Sequence, residues 1–407
     1  MSAGRGAAPT TRRTSLRWLP AAAAVFAAGW GANQFTPLAV VYRTEEHWPA
    51  LPVAAMFTTY LIGLLPGLLL GGPAANRFGR RQVVRPALAL TAAASTLLAL
   101  APVDQGVVYV SRLATGAAAG VVLTAGSTWL RELSAGSPHH NSGTFRATCA
   151  TAGGFAAGAL TAGSLAEWLP QPMVLPALAH ALLALVVFAA TRDVPDTAPP
   201  APAAARTPFT VGPWRGAVRH PRFLRVVLPA SPAVFTASTV AYVVLPPLVA
   251  DRVRGYAPVF SGLVTALTLA VGIAVQPLAE RLDHEHSARA TLAAIVAVIG
   301  GLLVSAFAVY GHSAALVLAA AALLGAGYGL TLASGLREVE RLAPPKDRTH
   351  AASLYHGAAH SGFLTPLLLA VTAGTAPYPA LLAGLAAVGL LCLGVTARYS
   401  RRHLPCP

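Results

Sequence analysis

Twelve apolar stretches of about 20 residues, separated by short polar connections, decide what this chain can fold into, because about 20 apolar residues in a helix cross a bilayer. They cover 18–41, 50–70, 83–101, 107–130, 147–166, 173–190, 226–248, 259–278, 290–309, 314–336, 351–371 and 379–395. In lipid every backbone N–H and C=O must be satisfied internally, which leaves only helices and closed barrels. A barrel would alternate in strands of about 10 residues, and these runs are continuous. The sequence therefore predicts an all-α membrane protein with twelve transmembrane helices. Composition agrees: 55% of the residues are hydrophobic and 11% charged, with a mean hydropathy of +0.60. So little charge cannot cover soluble domains of this size, which excludes a cytosolic enzyme and a disordered chain. Three cysteines, Cys149, Cys392 and Cys406, are too few for a disulfide scaffold.

A net charge of +15 would suggest a nucleic-acid partner in a soluble protein, but here the positions of the charges explain it. With the N-terminus inside, 25 of the 29 basic residues fall in cytoplasmic segments. Arg43, Arg252 and Arg254 fall outside and Arg112 lies within a span. Lys and Arg near span ends are retained in the cytoplasm, so both termini are expected there. Only Lys346 among the basic residues is lysine, a bias of GC-rich bacterial genomes, so the expected location is a bacterial inner membrane. Arg12-Arg13 ahead of an Ala-rich run imitates a twin-arginine signal, but the apolar stretch continues to residue 41 and reads as an uncleaved first span.

One composition break, the Pro/Ala-rich and then Arg-rich stretch 191–225, divides the chain. The expected organisation is a tail 1–17, a six-helix half 18–190, a cytoplasmic linker 191–225, a second six-helix half 226–397 and a tail 398–407. The halves echo each other: Gly116, Gly120, Leu123, Gly126 and Leu133 recur 209 residues later as Gly325, Gly329, Leu332, Gly335 and Leu342. Gly154-Phe155 recurs as Gly362-Phe363. A parallel repeat of this kind places a binding site between the halves near the midplane.

Three motifs carry more than topology. Gly72-Pro73-Ala74-Ala75-Asn76-Arg77-Phe78-Gly79-Arg80-Arg81 joins the second and third spans. It resembles the Gly-x-x-x-Asp-Arg-x-Gly-Arg-Arg loop of the major facilitator superfamily, with Asn76 in place of the usual Asp. Arg112-Leu113-Ala114-Thr115-Gly116 is similar to the family's fourth-span motif of an Arg followed four residues later by Gly. Gly153-Gly154-Phe155-Ala156-Ala157-Gly158-Ala159-Leu160-Thr161-Ala162-Gly163 resembles the glycine-rich fifth-span motif of the family's antiporters, without its Pro. Gly72, Gly116, Gly120, Gly154, Gly158 and Gly163 are expected at close helix contacts, and Gly79 in a tight turn. The resemblance implies that Asn76, Arg77, Arg80 and Arg81 belong to a conformational-switch loop, and that spans 1, 4, 7 and 10 line a cavity.

Candidate cavity residues are Arg112, Asn33, Gln34, Tyr60, Tyr242, Tyr328, His356 and His360, with Ser238 and Thr331 at similar depth. An intramembrane Arg costs about 2.5–3.5 kcal/mol and so faces a cavity or partner, unless it snorkels to the headgroups. No Asp or Glu lies mid-span, which leaves His356 and His360, four apart on one helix face, as proton carriers. His180 reads as a hydrogen-bonded packing residue. An interhelical hydrogen bond accounts for the other polar groups equally well. No phosphate loop, metal spacing, cofactor motif or nucleophile–base pair is present, so no enzyme is expected. The expected function is secondary transport of a small organic solute by a monomer in the lipid bilayer, proton-coupled efflux of amphipathic compounds first. A solute importer, a lipid translocator and a non-transporting sensor are the alternatives. The Ala, Leu, Val and Gly wall points to neutral or apolar solutes.

Overall fold

The computed structural model describes residues 16–135, 142–197, 220–284, 286–343 and 348–402. The twin arginines, most of the linker, Lys346 and Cys406 lie outside them. The described residues form helices and no strand, apart from an isolated bridge between His284 and Ser287. In order the helices are α1 (Leu19–Asn33, continuing as Phe35–Thr44), α2 (Ala50–Phe78), α3 (Arg80–Leu98), α4 (Gly106–Leu133), α5 (Ser142–Trp168) and α6 (Leu175–Ala190). After the linker come α7 (Phe223–Leu248), α8 (Ala257–Leu282), α9 (Arg289–Tyr310), α10 (Ala314–Leu342), α11 (Arg348–His360, continuing as Thr365–Thr372) and α12 (Tyr378–Tyr399).

Eight of these, α2, α4, α5, α7, α8, α9, α10 and α12, are long and apolar enough to cross a membrane. The other four stretches fall short for local reasons. Three arginines, Arg80, Arg81 and Arg85, occupy the first turns of α3, and α6 has 16 residues. Prolines interrupt α1 and α11. Pro37 cannot donate to the Asn33 carbonyl, and Thr36 Oγ1 donates to it instead at 2.9 Å. Pro366 follows a tight 3₁₀ turn, Ser361–Leu364, in α11. Three π-bulges also loosen the rods, at Val122–Gly126 in α4 and at Phe223–Val227 and Val240–Val244 in α7.

Glycine seams hold the rods at backbone contact. A Cβ on Gly116 would lie 2.1 Å from the Tyr60 carbonyl oxygen, and one on Gly120 2.5 Å from that of Leu64. Their counterparts 209 residues on do the same to α8, Gly325 at 2.4 Å from Thr268 O and Gly329 at 1.9 Å from Gly272 O. Gly154 and Gly158 meet α1 at Phe26 O and Trp30 O, and Gly362 meets α7 at Pro232 O. The repeated glycines thus perform one packing task in each half.

A buried polar staple joins α1, α3 and α6. His180 Nε2 donates to the Ala27 carbonyl at 2.9 Å, so its Nδ1 accepts, from Ser95 Oγ at 2.6 Å and Gln34 Nε2 at 3.2 Å. Both ring nitrogens are satisfied in one neutral tautomer, and His180 is a packing residue. Gly72 departs from expectation: nothing lies within 4 Å of a Cβ built there, because it points away from α4 at the end of α2. Gly116→Val should therefore cost about 1–3 kcal/mol of stability through overpacking, whereas Gly72→Val should leave the unfolding temperature nearly unchanged. Thermal unfolding of the two variants in detergent checks this.

Candidate functional site

The alternating helices define two ends: a basic end, carrying the α2–α3 loop and the described termini, and an opposite end. The halves meet at the opposite end. Phe57 of α2 stacks on Phe363 of α11 with centroids 5.6 Å apart, and the hydroxyl oxygens of Thr36 and Thr265 are 3.3 Å apart. The tightest cross-half seam is α5 on α8, where a Cβ on Gly163 would lie 2.6 Å from Pro258 O and one on Gly262 2.6 Å from Ala159 O. Gly163 is thus a cross-half contact, unlike the other motif glycines. Beyond the seam, Glu45 and Glu167 share a small pocket with Asp251 and Arg254. Desolvation and the charges of Glu167 and Glu46 push the Glu45 carboxyl above the usual carboxylate range.

Below the seam a cavity of about 840 Å³ runs between the halves towards the basic end. The twelve residue-to-residue steps from Arg112 at its top to Thr124 near its mouth rise about 18 Å at the α-helical 1.5 Å each. Its lining includes Asn33, Tyr60, Arg112, Tyr242, Tyr328, His356 and His360, with Ser238. All three π-bulges contribute wall residues, Leu123 and Thr124, Phe223, and Tyr242. Gln34 is the correction. It lies on the far face of α1, 1% exposed, in the staple with Ser95 and His180, and not in the wall. Thr331 also turns away, its Oγ1 donating to Gly327 O at 2.6 Å.

Arg112 is 1% exposed, six residues into α4, and does not snorkel to the headgroups. Its guanidinium carbon sits 4.5 Å from the Phe35 ring centroid and 4.6 Å from that of Tyr60. Two desolvated cation–π contacts of about 2 kcal/mol each are comparable with the cost of placing the charge in the membrane. Across the cavity, His360 Nδ1 donates to the His356 carbonyl at 2.5 Å, so Nε2 carries the lone pair. The His360 ring packs 4.6 Å from Phe235 and 5.7 Å from Phe363. His356 has no hydrogen bond of this kind among the described residues.

Sequence reasoning named Tyr328 but missed Phe57, Phe363 and Phe235, which form an arc with it, successive centroids from Phe57 through Phe363 and Phe235 to Tyr328 lying 5.6, 4.6 and 6.1 Å apart. These residues are scattered over four helices, and an aromatic in an apolar span carries no local signal.

The loop motif forms a brace at the basic end. Gly79 has φ +102°, a conformation open to glycine, and turns the chain from α2 into α3. Arg80 pairs with Glu132 of α4 at 2.9 Å and with Asn76 Oδ1 at 2.5 Å. Asp196 caps α3, accepting from the backbone N–H of Arg80 at 2.8 Å and of Arg81 at 3.2 Å. The Arg81 side chain donates to the Arg192 carbonyl at 3.1 Å, and Arg77 lies over Phe78. The second half reverses the signs. Arg337 donates to Glu280 at 2.6 Å and pairs with Asp283 at 3.5 Å, and Asp283 also pairs with Arg341. Arg341 stands 209 residues after Glu132 with the opposite charge, while the position 209 after Arg80 is again an arginine, Arg289, and the acids that meet Arg341 and Arg337 lie just before it. A buried pair adds to this end: Arg222 forks onto Glu338 at 2.8 and 2.9 Å and donates to the Ser400 and Arg402 carbonyls at 3.0 and 3.2 Å.

The model of the Major Facilitator Superfamily matches residues 21–364 and 235–405. No curated protein sequence matches the chain. Among solved structures it is similar to the nucleoside transporter NupG, with a TM-score of 0.76 at 13% identity over 95% of this chain and 99% of that one. A POT family transporter in complex with 5-aminolevulinic acid gives 0.76 at 11% identity, over 95% and 96% of the two chains. The peptide transporter POT in complex with sulfate gives 0.75 at 16%, over 95% of both. At these identities the likeness is one of fold.

Two of the ion pairs at the basic end should differ in weight. The Arg222 and Glu338 side chains are 1% and 5% exposed, so Glu338→Gln strands a buried guanidinium and should cost about 3–5 kcal/mol. Glu132 is 33% exposed, and Glu132→Gln should cost about 1 kcal/mol or less. Unfolding temperatures of the two variants, measured side by side, check the order.

Proposed function

Because the chain belongs to the major facilitator superfamily, a family of transporters and not of enzymes, we propose that it carries a small organic solute by alternating access. Twelve helices cross the membrane in this reading, and the halves 18–190 and 226–397 rock about the cavity that Arg112 caps. The observation that carries it is the cavity itself, which lies between the halves, is sealed at one end by the Gly163–Gly262 seam and runs to the other. Glycine set against backbone on both sides of a seam lets the helices part and re-form with little repacking.

Orientation follows from the arginines: the basic end is cytoplasmic, both termini with it, in a bacterial inner membrane. The present conformation is then inward-open, with the brace relaxed into the first half and Asn76 engaged by Arg80. Export of amphipathic compounds is supported by this loading side and by the glycine-rich α5. The solved relatives named above handle nucleosides and peptides, so import stays an alternative, as do lipid translocation and sensing without transport. If protons drive the cycle, His356 is the better carrier, since His360 is held by a carbonyl and two rings. A monomer suffices, because the cavity is built within one chain.

Solute counterflow in proteoliposomes tests the reading. Exchange of a bound solute is expected for the wild type, with a pH dependence between 5 and 8 that His356→Gln flattens. Arg112→Ala should abolish exchange while the protein stays folded, and Arg112→Lys should rescue poorly because it lacks the planar fork. A solute that binds without exchanging would indicate a sensor, and wild-type exchange by Arg112→Ala would remove Arg112 from the mechanism.

A further inference from the structure

The Ala- and Leu-rich wall taken alone points to a neutral solute, but the hydrogen bonding of Arg112 points elsewhere. A guanidinium is always charged and has five N–H donors. The rings of Phe35 and Tyr60 lie against its charge but accept no in-plane hydrogen bond from its edge. Arg112 Nε and Nη2 are both buried and have no hydrogen-bond partner. None of the ion pairs among the described residues includes Arg112, and the described cavity wall holds no Asp or Glu. Arg222 is the internal comparison. It is just as buried, yet its donors are met by the Glu338 carboxylate and two carbonyls.

Two unmet donors on one edge of a desolvated cation fit one kind of group, a planar oxyanion taken side-on, as Glu338 is taken by Arg222. Burial makes that group worth more here than in water. The surroundings continue the specification. Tyr60, against Arg112, stands one turn from Phe57 on α2, and Phe57 begins the arc through Phe363 and Phe235 to Tyr328. A ring system laid on that arc would reach from the first half to the second, in a cavity of drug-ligand size. Resting on the transporter reading above, we propose that the solute is an aromatic organic anion, its carboxylate on Arg112 at the sealed end and its rings on the Phe57–Phe363–Phe235 arc.

Matched acids and amides test this. Indole-3-acetate, 2-naphthoate and biphenyl-4-carboxylate, each with its primary amide, are titrated into the purified protein and followed by thermal shift. The expected result is stabilisation by acids of the panel, each binding about ten- to a hundredfold more tightly than its amide, the range for a hydrogen bond to a charged group. Arg112→Gln, itself folded by its unliganded unfolding temperature, should erase that gap. If Arg112→Gln does not fold, Phe363→Leu serves: it should weaken acid and amide together and keep their ratio. Amides that match their acids, no stabilisation by any acid, a gap that survives Arg112→Gln or a ratio that collapses in Phe363→Leu each overturn the proposal. Counterflow with the same compounds separates it from the transporter reading. Acids that bind but do not exchange leave the anion site standing without transport, and exchange with no preference for acids does the reverse.

Discussion

A guanidinium buried in a helix bundle without a counter-charge is the constraint on which the rest of this structure turns. Placing Arg112 in a membrane costs about 2.5–3.5 kcal/mol, and the described residues meet that cost with two aromatic faces and no carboxylate. An ion pair with an acid of the chain would have closed the site on itself. The polar residues nearby are neutral as far as their hydrogen bonds define them, and the acids are kept to the ends of the helices, in the braces and caps. Among the described residues that line the cavity, Arg112 is the one arginine, and no Asp or Glu accompanies it.

The second requirement is that the cavity can change its open end. The seam of Gly163 and Gly262 brings backbone to backbone across the halves, beside the Phe57–Phe363 stack. At the basic end the ion pairs are made within each half: Arg80 with Glu132 in the first, Arg337 and Arg341 with Glu280 and Asp283, and Arg222 with Glu338, in the second. These pairs tie helices together within each half at the end where the cavity opens. Stiff halves joined by a smooth seam are the mechanical condition for rocking.

Much of this was legible in the sequence because its physics is local. A 20-residue apolar run is a helix wherever it lies, and a glycine repeated at the same interval in both halves marks a backbone contact. Gly116, Gly120, Gly154 and Gly158 did mark such contacts. Gly72 did not, since a motif shows that a small residue is present but not which neighbour approaches it. Gln34 was placed in the wall from its depth, but depth does not fix rotation about the helix axis, and His180 and Ser95 draw it the other way. The aromatic arc and the Arg222–Glu338 fork join residues 93 or more positions apart, and only packing brings these together. The second-half brace carries no repeat signal, because Arg341 stands where the first half has Glu132 and its acid partners Glu280 and Asp283 do not fall at the repeat position of Arg80.

The central claim is that one end of the cavity opens as the other closes, and distances at the two ends measure it directly. Spin labels at 69 and 354 report the mouth at the basic end, and labels at 46 and 254 report the opposite end. In bilayer nanodiscs the mouth pair should be long and the other pair short. Gly262→Leu, which forces a side chain into the seam, should lengthen the second distance and shorten the first in the same molecules. Two distances that move in the same direction, or a seam that accepts the leucine with neither distance changed, would contradict the account.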